Sequence, residues 1–136
     1  MENKSYYFEE VLTIKELINR IEQEENCLFM IDELFKGTNT IERVAGAKAV
    51  LSYLNKNKNI VYASTHDIEL AELLKNEFDL YHFTETIEND KLIFDYKLKP
   101  GKLTTRNAIK ILELNGYPNE IIKEAIELSS YDLKPK

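Results

Sequence analysis

Two short apolar runs, Cys27-Leu28-Phe29-Met30-Ile31 and Asn59-Ile60-Val61-Tyr62-Ala63, constrain this chain more than any other feature. Neither alternates with polar residues, which predicts strands covered on both faces. Between them, Ile41 to Asn55 places Val44, Ala47, Leu51 and Leu54 on one helical face. Gly46, with Ala45, Ala47 and Ala49, makes that helix slim enough to lie close to a sheet. Strand, helix and strand then succeed one another at the spacing of a parallel crossover. The fold class expected is α/β, a mostly parallel sheet flanked by helices and joined by right-handed connections.

The flanking segments extend this plan. Glu9 to Gln23 carries Val11, Ile14, Leu17, Ile18 and Ile21 at helical intervals, an amphipathic surface helix. Asp67 stands as N-cap before a helix containing Ile68, Leu70, Leu73 and Leu74. Phe78 to Ile87 and Leu92 to Leu98 alternate around the turn Glu88-Asn89-Asp90, predicting a hairpin at the sheet's edge. Pro100-Gly101 breaks the chain, and a C-terminal helical pair comes next: Arg106 to Asn115, stopped by Gly116, then Pro118 to about Ser129. The tail from Tyr131 to Lys136 is expected to fray. All of this reads as a single domain over 1–136, with an α/β part at about 5–103 and the terminal helices at 104–130.

Charge and cysteine content narrow the function classes. Eighteen Lys and Arg against 24 Asp and Glu leave a net charge of −6, the wrong sign for wrapping a phosphate backbone. Cys27 is the only cysteine, so an internal disulfide and a cysteine metal cluster are both excluded, and a reducing cytoplasm suits the chain. Met1 to Phe8 has no secretion-signal pattern, and no apolar run approaches the roughly 20 residues a bilayer helix needs.

In an open parallel sheet, ligands sit beyond the carboxyl ends of the strands. The first run ends in Asp32-Glu33, whose side chains alternate in direction. One carboxylate can hold a hydrated Mg²⁺ while its neighbour orients a water, the division that nucleotide hydrolysis requires. The second run ends in Thr65-His66, whose imidazole can hydrogen-bond near a phosphate. Each piece alone is ordinary: carboxylates often end strands in water, and Asn39 and Thr40 are common turn and cap residues. His82 and Cys27 read as structural, and Lys97, Lys99 and Lys102 as a solvated face.

The combination is less common. Leu28-Phe29-Met30-Ile31-Asp32-Glu33, then Lys36-Gly37-Thr38-Asn39-Thr40, then Ala63-Ser64-Thr65-His66 resembles, in that order, the ATPase domain of the MutS family of DNA mismatch repair proteins. The first segment is similar to its Walker B strand, the second to the signature loop just after it, the third to its switch histidine. Ser5 to Glu10 and Gly116-Tyr117-Pro118 with Ile121, Ile122 and Ala125 extend the resemblance from about Ser5 to Leu128. Related transporter-type ATPases carry a Ser-Gly-Gly signature before Walker B, and none lies between Met1 and Met30.

The resemblance implies a P-loop NTPase fold of the ABC and MutS type, with Mg²⁺ and ATP as ligands. It implies Asp32 as the Mg²⁺ carboxylate, through water, and Glu33 as the base aligning the attacking water. It implies His66 as the sensor of the terminal phosphate, and Asn39 and Thr40 as the loop reaching a partner subunit's nucleotide. The family usually has serine at Asn39, aspartate at Glu42 and glycine at Arg43, and Phe35 stands where a glycine is common; these departures fit a divergent branch.

A phosphate site of this class needs a glycine-rich loop and lysine. No glycine precedes Asp32, and Gly101-Lys102 is followed by Leu103. The expectation is therefore the C-terminal half of a MutS-type ATPase domain, inactive alone. It would be completed by an N-terminal half and a homodimer partner, paired through the ATPase domains and C-terminal helices, and would meet DNA only through the complete protein, not a membrane. Two alternatives stand beside it: a non-enzymatic dimerisation module built on the terminal helices, and an unrelated Mg²⁺-dependent phosphohydrolase using Asp32, Glu33 and His66.

Overall fold

The computed structural model describes residues 5–23, 26–104 and 106–131. The charged break at 24–25 and the tail beyond Tyr131 lie outside them. The chain divides into two compact units, Met1–Leu80 and Tyr81–Lys136.

In the first unit, α1 (Tyr6–Gln23) leads to β1 (Leu28–Asp32), α2 (Thr40–Leu54), β2 (Ile60–Ser64) and α3 (Ile68–Leu74). Helix α1 starts three residues before the apolar periodicity does, because the Ser5 hydroxyl accepts the Phe8 N–H at 3.2 Å and satisfies one orphan donor. Strands β1 and β2 pair in parallel, from Leu28 opposite Ile60 to Asp32 opposite Ser64. Asn59 fixes the start of this pairing: its Oδ1 accepts from Cys27 N at 2.8 Å while its Nδ2 donates to Leu54 O at 3.2 Å.

Helix α2 buries the predicted face, Val44, Ala47, Leu51 and Leu54, against Phe29 and Val61. Ile14, Leu34, Phe35, Leu70 and Leu74 complete one core. A Cβ on Gly46 would stand 3.3 Å from the Phe35 ring, so this glycine makes room for the aromatic.

Here the structure corrects the expectation of strands covered on both faces. Phe29 is only 5% exposed, whereas Met30 is 77% exposed and Leu28, Ile60 and Tyr62 are also open. All helices of this unit that reach the core pack with Phe29 and Val61, which leaves the opposite face of the pair bare. The uninterrupted apolar runs encode cover on both sides; the described residues of this unit supply one.

The second unit corrects the expectation of a mostly parallel sheet. Strand β3 (Tyr81–His82) pairs antiparallel with β6 (Lys99–Pro100), and β4 (Glu85–Glu88) pairs antiparallel with β5 (Lys91–Phe94). Parallel pairing needs a crossover element such as α2, and no described segment here provides one. The hairpin forms at Asn89-Asp90, both in the left-handed region at φ 50° and 59°, as a two-residue turn between twisted strands requires. Instead of joining the edge of the parallel pair, it makes a sheet of its own. Its alternating arms are shorter than the pattern predicts because Asp95 accepts from Lys97 N at 3.0 Å and Tyr96 turns left-handed. His82 is structural, its Nδ1 lying 2.8 Å from Gly101 O. Helices α4 (Ala108–Leu114) and α5 (Asn119–Tyr131) form the terminal pair. No helix among the described residues is long and apolar enough to cross a membrane.

Candidate functional site

The parallel register brings the carboxyl ends of β1 and β2 level, so Asp32 lies beside Ser64, whose hydroxyl donates to Asp32 Oδ1. Glu33 N donates to Ser64 O at 2.9 Å, extending the ladder by one bond. There the backbone turns: Glu33 and Phe35 are left-handed, at φ 50° and 62°. Alternation leaves Asp32 exposed on the bare face, while Glu33 is half-buried on the covered side.

Glu33 and His66 meet. His66 Nε2 lies 2.6 Å from Glu33 Oε1, and Lys36 Nζ lies 3.0 Å from Glu33 Oε2. Both oxygens of this carboxylate are thus engaged, and the bond to Glu33 raises the Lys36 ammonium above its ordinary range. His66 itself is 95% exposed.

Asn39 serves as N-cap of α2. Its Oδ1 accepts from Glu42 N at 3.0 Å, which caps the helix, and its Nδ2 donates to the Glu42 side chain at Oε2, 2.6 Å away. Thr40 is exposed at the first position of the helix. Asp67 occupies the N-cap position of α3, but its side chain does not cap. Its carboxylate takes a two-pronged bond from Arg43, Nε to Oδ2 at 2.9 Å and Nη2 to Oδ1 at 2.8 Å. That bond holds the Asp67 carboxyl below the usual carboxylate range against the opposing effect of burial.

Sequence reasoning missed the roles of Lys36, Arg43 and Glu10. The Glu10 carboxylate on α1 accepts the Phe35 N–H at 2.6 Å, securing the left-handed turn after Glu33. Tyr7 packs edge-on against Phe35, and a Cβ on Gly37 would come within 2.7 Å of Tyr7 Cβ, so α1 buttresses this loop closely. Phe35 holds a left-handed φ of 62°, a conformation that glycine adopts without strain.

Glu33, Leu34, Lys36, Arg43, Thr65, His66 and Asp67 border a cleft of about 200 Å³. That is below the roughly 300 Å³ at which small-molecule pockets begin, so the cleft has room for a phosphate group rather than a whole nucleotide. Among the described residues no three His, Cys, Asp or Glu side chains gather as a metal cage. Beside Asp32 the oxygen donors are its own carboxylate and the Ser64 hydroxyl, which fits a hard cation that keeps most of its water, such as Mg²⁺.

The family described as MutS domain V matches residues 1–131. The chain is 33% identical over 121 residues to the Endonuclease MutS2 of Fusobacterium nucleatum, covering 89% of this chain and 15% of that protein. It is 33% identical over 119 residues to the DNA mismatch repair protein MutS of Finegoldia magna, covering 85% and 14%. The corresponding protein of Leptospira interrogans is 33% identical over 139 residues, covering 98% and 16%. The chain thus spans about a sixth or less of the length of the curated relatives it matches.

Proposed function

Because this chain belongs to the MutS domain V family, the C-terminal ATPase domain of MutS proteins, we propose that it supplies the hydrolytic half of an ATP site in a cytoplasmic DNA repair or recombination protein. The observation that carries this is the pairing of Glu33 with His66 beside Asp32 at the carboxyl edge of the parallel strands. Asp32 would hold a hydrated Mg²⁺, which would neutralise charge on the phosphate oxygens. Glu33 orients the attacking water and accepts its hydrogen bond, and His66 contacts the terminal phosphate.

His66 and Lys36 each take one oxygen of Glu33, and a carboxylate oxygen has a second lone pair with which to accept a water. His66, almost fully exposed, loses no packing by turning toward a phosphate. Asn39 and Thr40 address the nucleotide of a partner subunit once Glu42 releases the Asn39 amide, and the phosphate cradle comes from outside these 136 residues. DNA is engaged through the complete protein.

Mn²⁺, a paramagnetic stand-in for Mg²⁺, tests the reading on the chain itself. At substoichiometric Mn²⁺ the amide signals of Asp32, Glu33 and Ser64 should broaden first, and Asp32→Asn should abolish the effect. Broadening centred elsewhere, or unchanged in Asp32→Asn, would overturn the assignment.

A second reading, a dimerisation module, is favoured by the apolar residues Ile121, Ile126 and Leu128 left exposed on α5. It predicts a dimer in sedimentation that Ile126→Glu with Leu128→Glu dissolves.

A further inference from the structure

His66 poses a positioning problem, because a side chain 95% exposed has no packing to hold it. Its placement depends on Glu33 and on the backbone of its two neighbours. Thr65 and Asp67 are both tied down: Thr65 Oγ1 accepts from Asp67 N at 2.9 Å, and the Asp67 carboxylate receives the fork of Arg43. Arg43 stands in the first turns of α2 and reaches further. Its Nη1 donates to Thr38 O at 3.4 Å and its Nη2 to Thr40 Oγ1 at 3.5 Å. One guanidinium therefore contacts the β2–α3 loop on one side and the loop carrying Thr38, Asn39 and Thr40 on the other.

We propose that Arg43 is a positioning residue, a clamp that makes these two loops move as one and thereby sets where His66 can stand. The ion pair is suited to this. Both side chains are mostly buried, at 23% and 16% exposed, so water screens the pair less than a surface bridge. Two parallel bonds fix an angle as well as a distance, which a lysine point charge cannot do. Asp67 gives up capping α3 to make the contact. Binding at His66 would be felt at Asn39 and Thr40 through this link. The inference rests on the ATP-site reading above, which gives the two loops their roles.

Amide hydrogen exchange on the chain, without nucleotide or cation, tests the clamp independently of that reading. The Thr38 and Glu42 amides report on one loop, and the Asp67 and Leu70 amides on the other. Asp67→Asn, nearly isosteric, should speed exchange at Thr38 and Glu42 by about tenfold, equivalent to about 1.4 kcal/mol of opening free energy. Arg43→Lys should do the same at Asp67 and Leu70, and Ile60, bonded to Cys27 within the strand pair, should not change in either. Both variants should shift the His66 Hε1 resonance, and the exchanged pair Arg43→Asp with Asp67→Arg should recover part of the protection. Acceleration confined to the mutated loop would overturn the clamp. So would equal acceleration at Ile60, which would make the pair a contributor to global stability alone. The Mn²⁺ experiment can fail while this one succeeds, and the reverse.

Discussion

Nε2 of His66 and Oε1 of Glu33 stand 2.6 Å apart, a direct contact between the ends of the two parallel strands in which a proposed base meets a proposed phosphate sensor. Lys36 takes the other Glu33 oxygen. Replacing Glu33 with Gln removes the charge both partners face. Because His66 and Lys36 are exposed, the stability of the chain should change by no more than about 0.5 kcal/mol in urea unfolding. In the complete protein the same change should slow phosphate release by about 100-fold or more while nucleotide binding is kept.

Asp67 should make stability depend on pH. Its carboxyl is held below the usual range, first by the bonds from Arg43, with His66 acting in the same direction. A depressed folded value means that the stabilisation is fully present above the unfolded value, about 3.9, and is lost as pH falls through the folded one. The difference between the chain and Asp67→Asn should be about 1 to 2 kcal/mol at pH 7 and should shrink as pH falls below the unfolded value. Urea unfolding across that range measures it. Arg43 stays charged throughout and does not alter the sign.

Phe35 sets two effects against each other. Its left-handed φ of 62° costs about 1 kcal/mol, which glycine would relieve. Its ring is also a core residue, and deleting a buried phenyl group costs about 3 to 5 kcal/mol. Packing outweighs backbone strain, so Phe35→Gly should lower stability by about 2 to 4 kcal/mol in chemical denaturation. Glu10→Ala acts on the same turn by removing the acceptor of Phe35 N, and should cost about 1 to 3 kcal/mol.

The bare face of the parallel strands should limit solubility. Met30 and Tyr62 lie opposite each other on it, both exposed. Changing both to lysine places charge on an open apolar patch and removes no packed contact from the core cluster. Stability should move by less than about 1 kcal/mol. The ammonium sulfate midpoint of precipitation should rise; an unchanged midpoint would show that this face does not govern association.

Asp32, Glu33 and His66 were legible because strand ends are written locally: where an apolar run stops, the next polar residues lie at the edge of the sheet. The face of α2 was legible for a similar reason, since Val44, Ala47, Leu51 and Leu54 recur at the helical period. Arg43 with Asp67, and Glu10 with Phe35, were not, because each pair joins residues from different elements. Asp67 shows how local reading fails. It stands where an N-cap belongs, yet the charge of Arg43 competes for its carboxylate more strongly than a backbone N–H does.

What the sequence by itself determined is the set of elements and the residues at their ends, since helical period, apolar runs and turn residues act over a few neighbours. The tertiary structure alone decided which charges meet. It joined His66 to Glu33, turned Asp67 from a cap into the ion-pair partner of Arg43, and left one face of the strands open. The contacts of Glu33 with His66 and of Asp67 with Arg43 depend on loop dihedrals and on distances across the crossover, and no pattern of neighbouring residues encodes them.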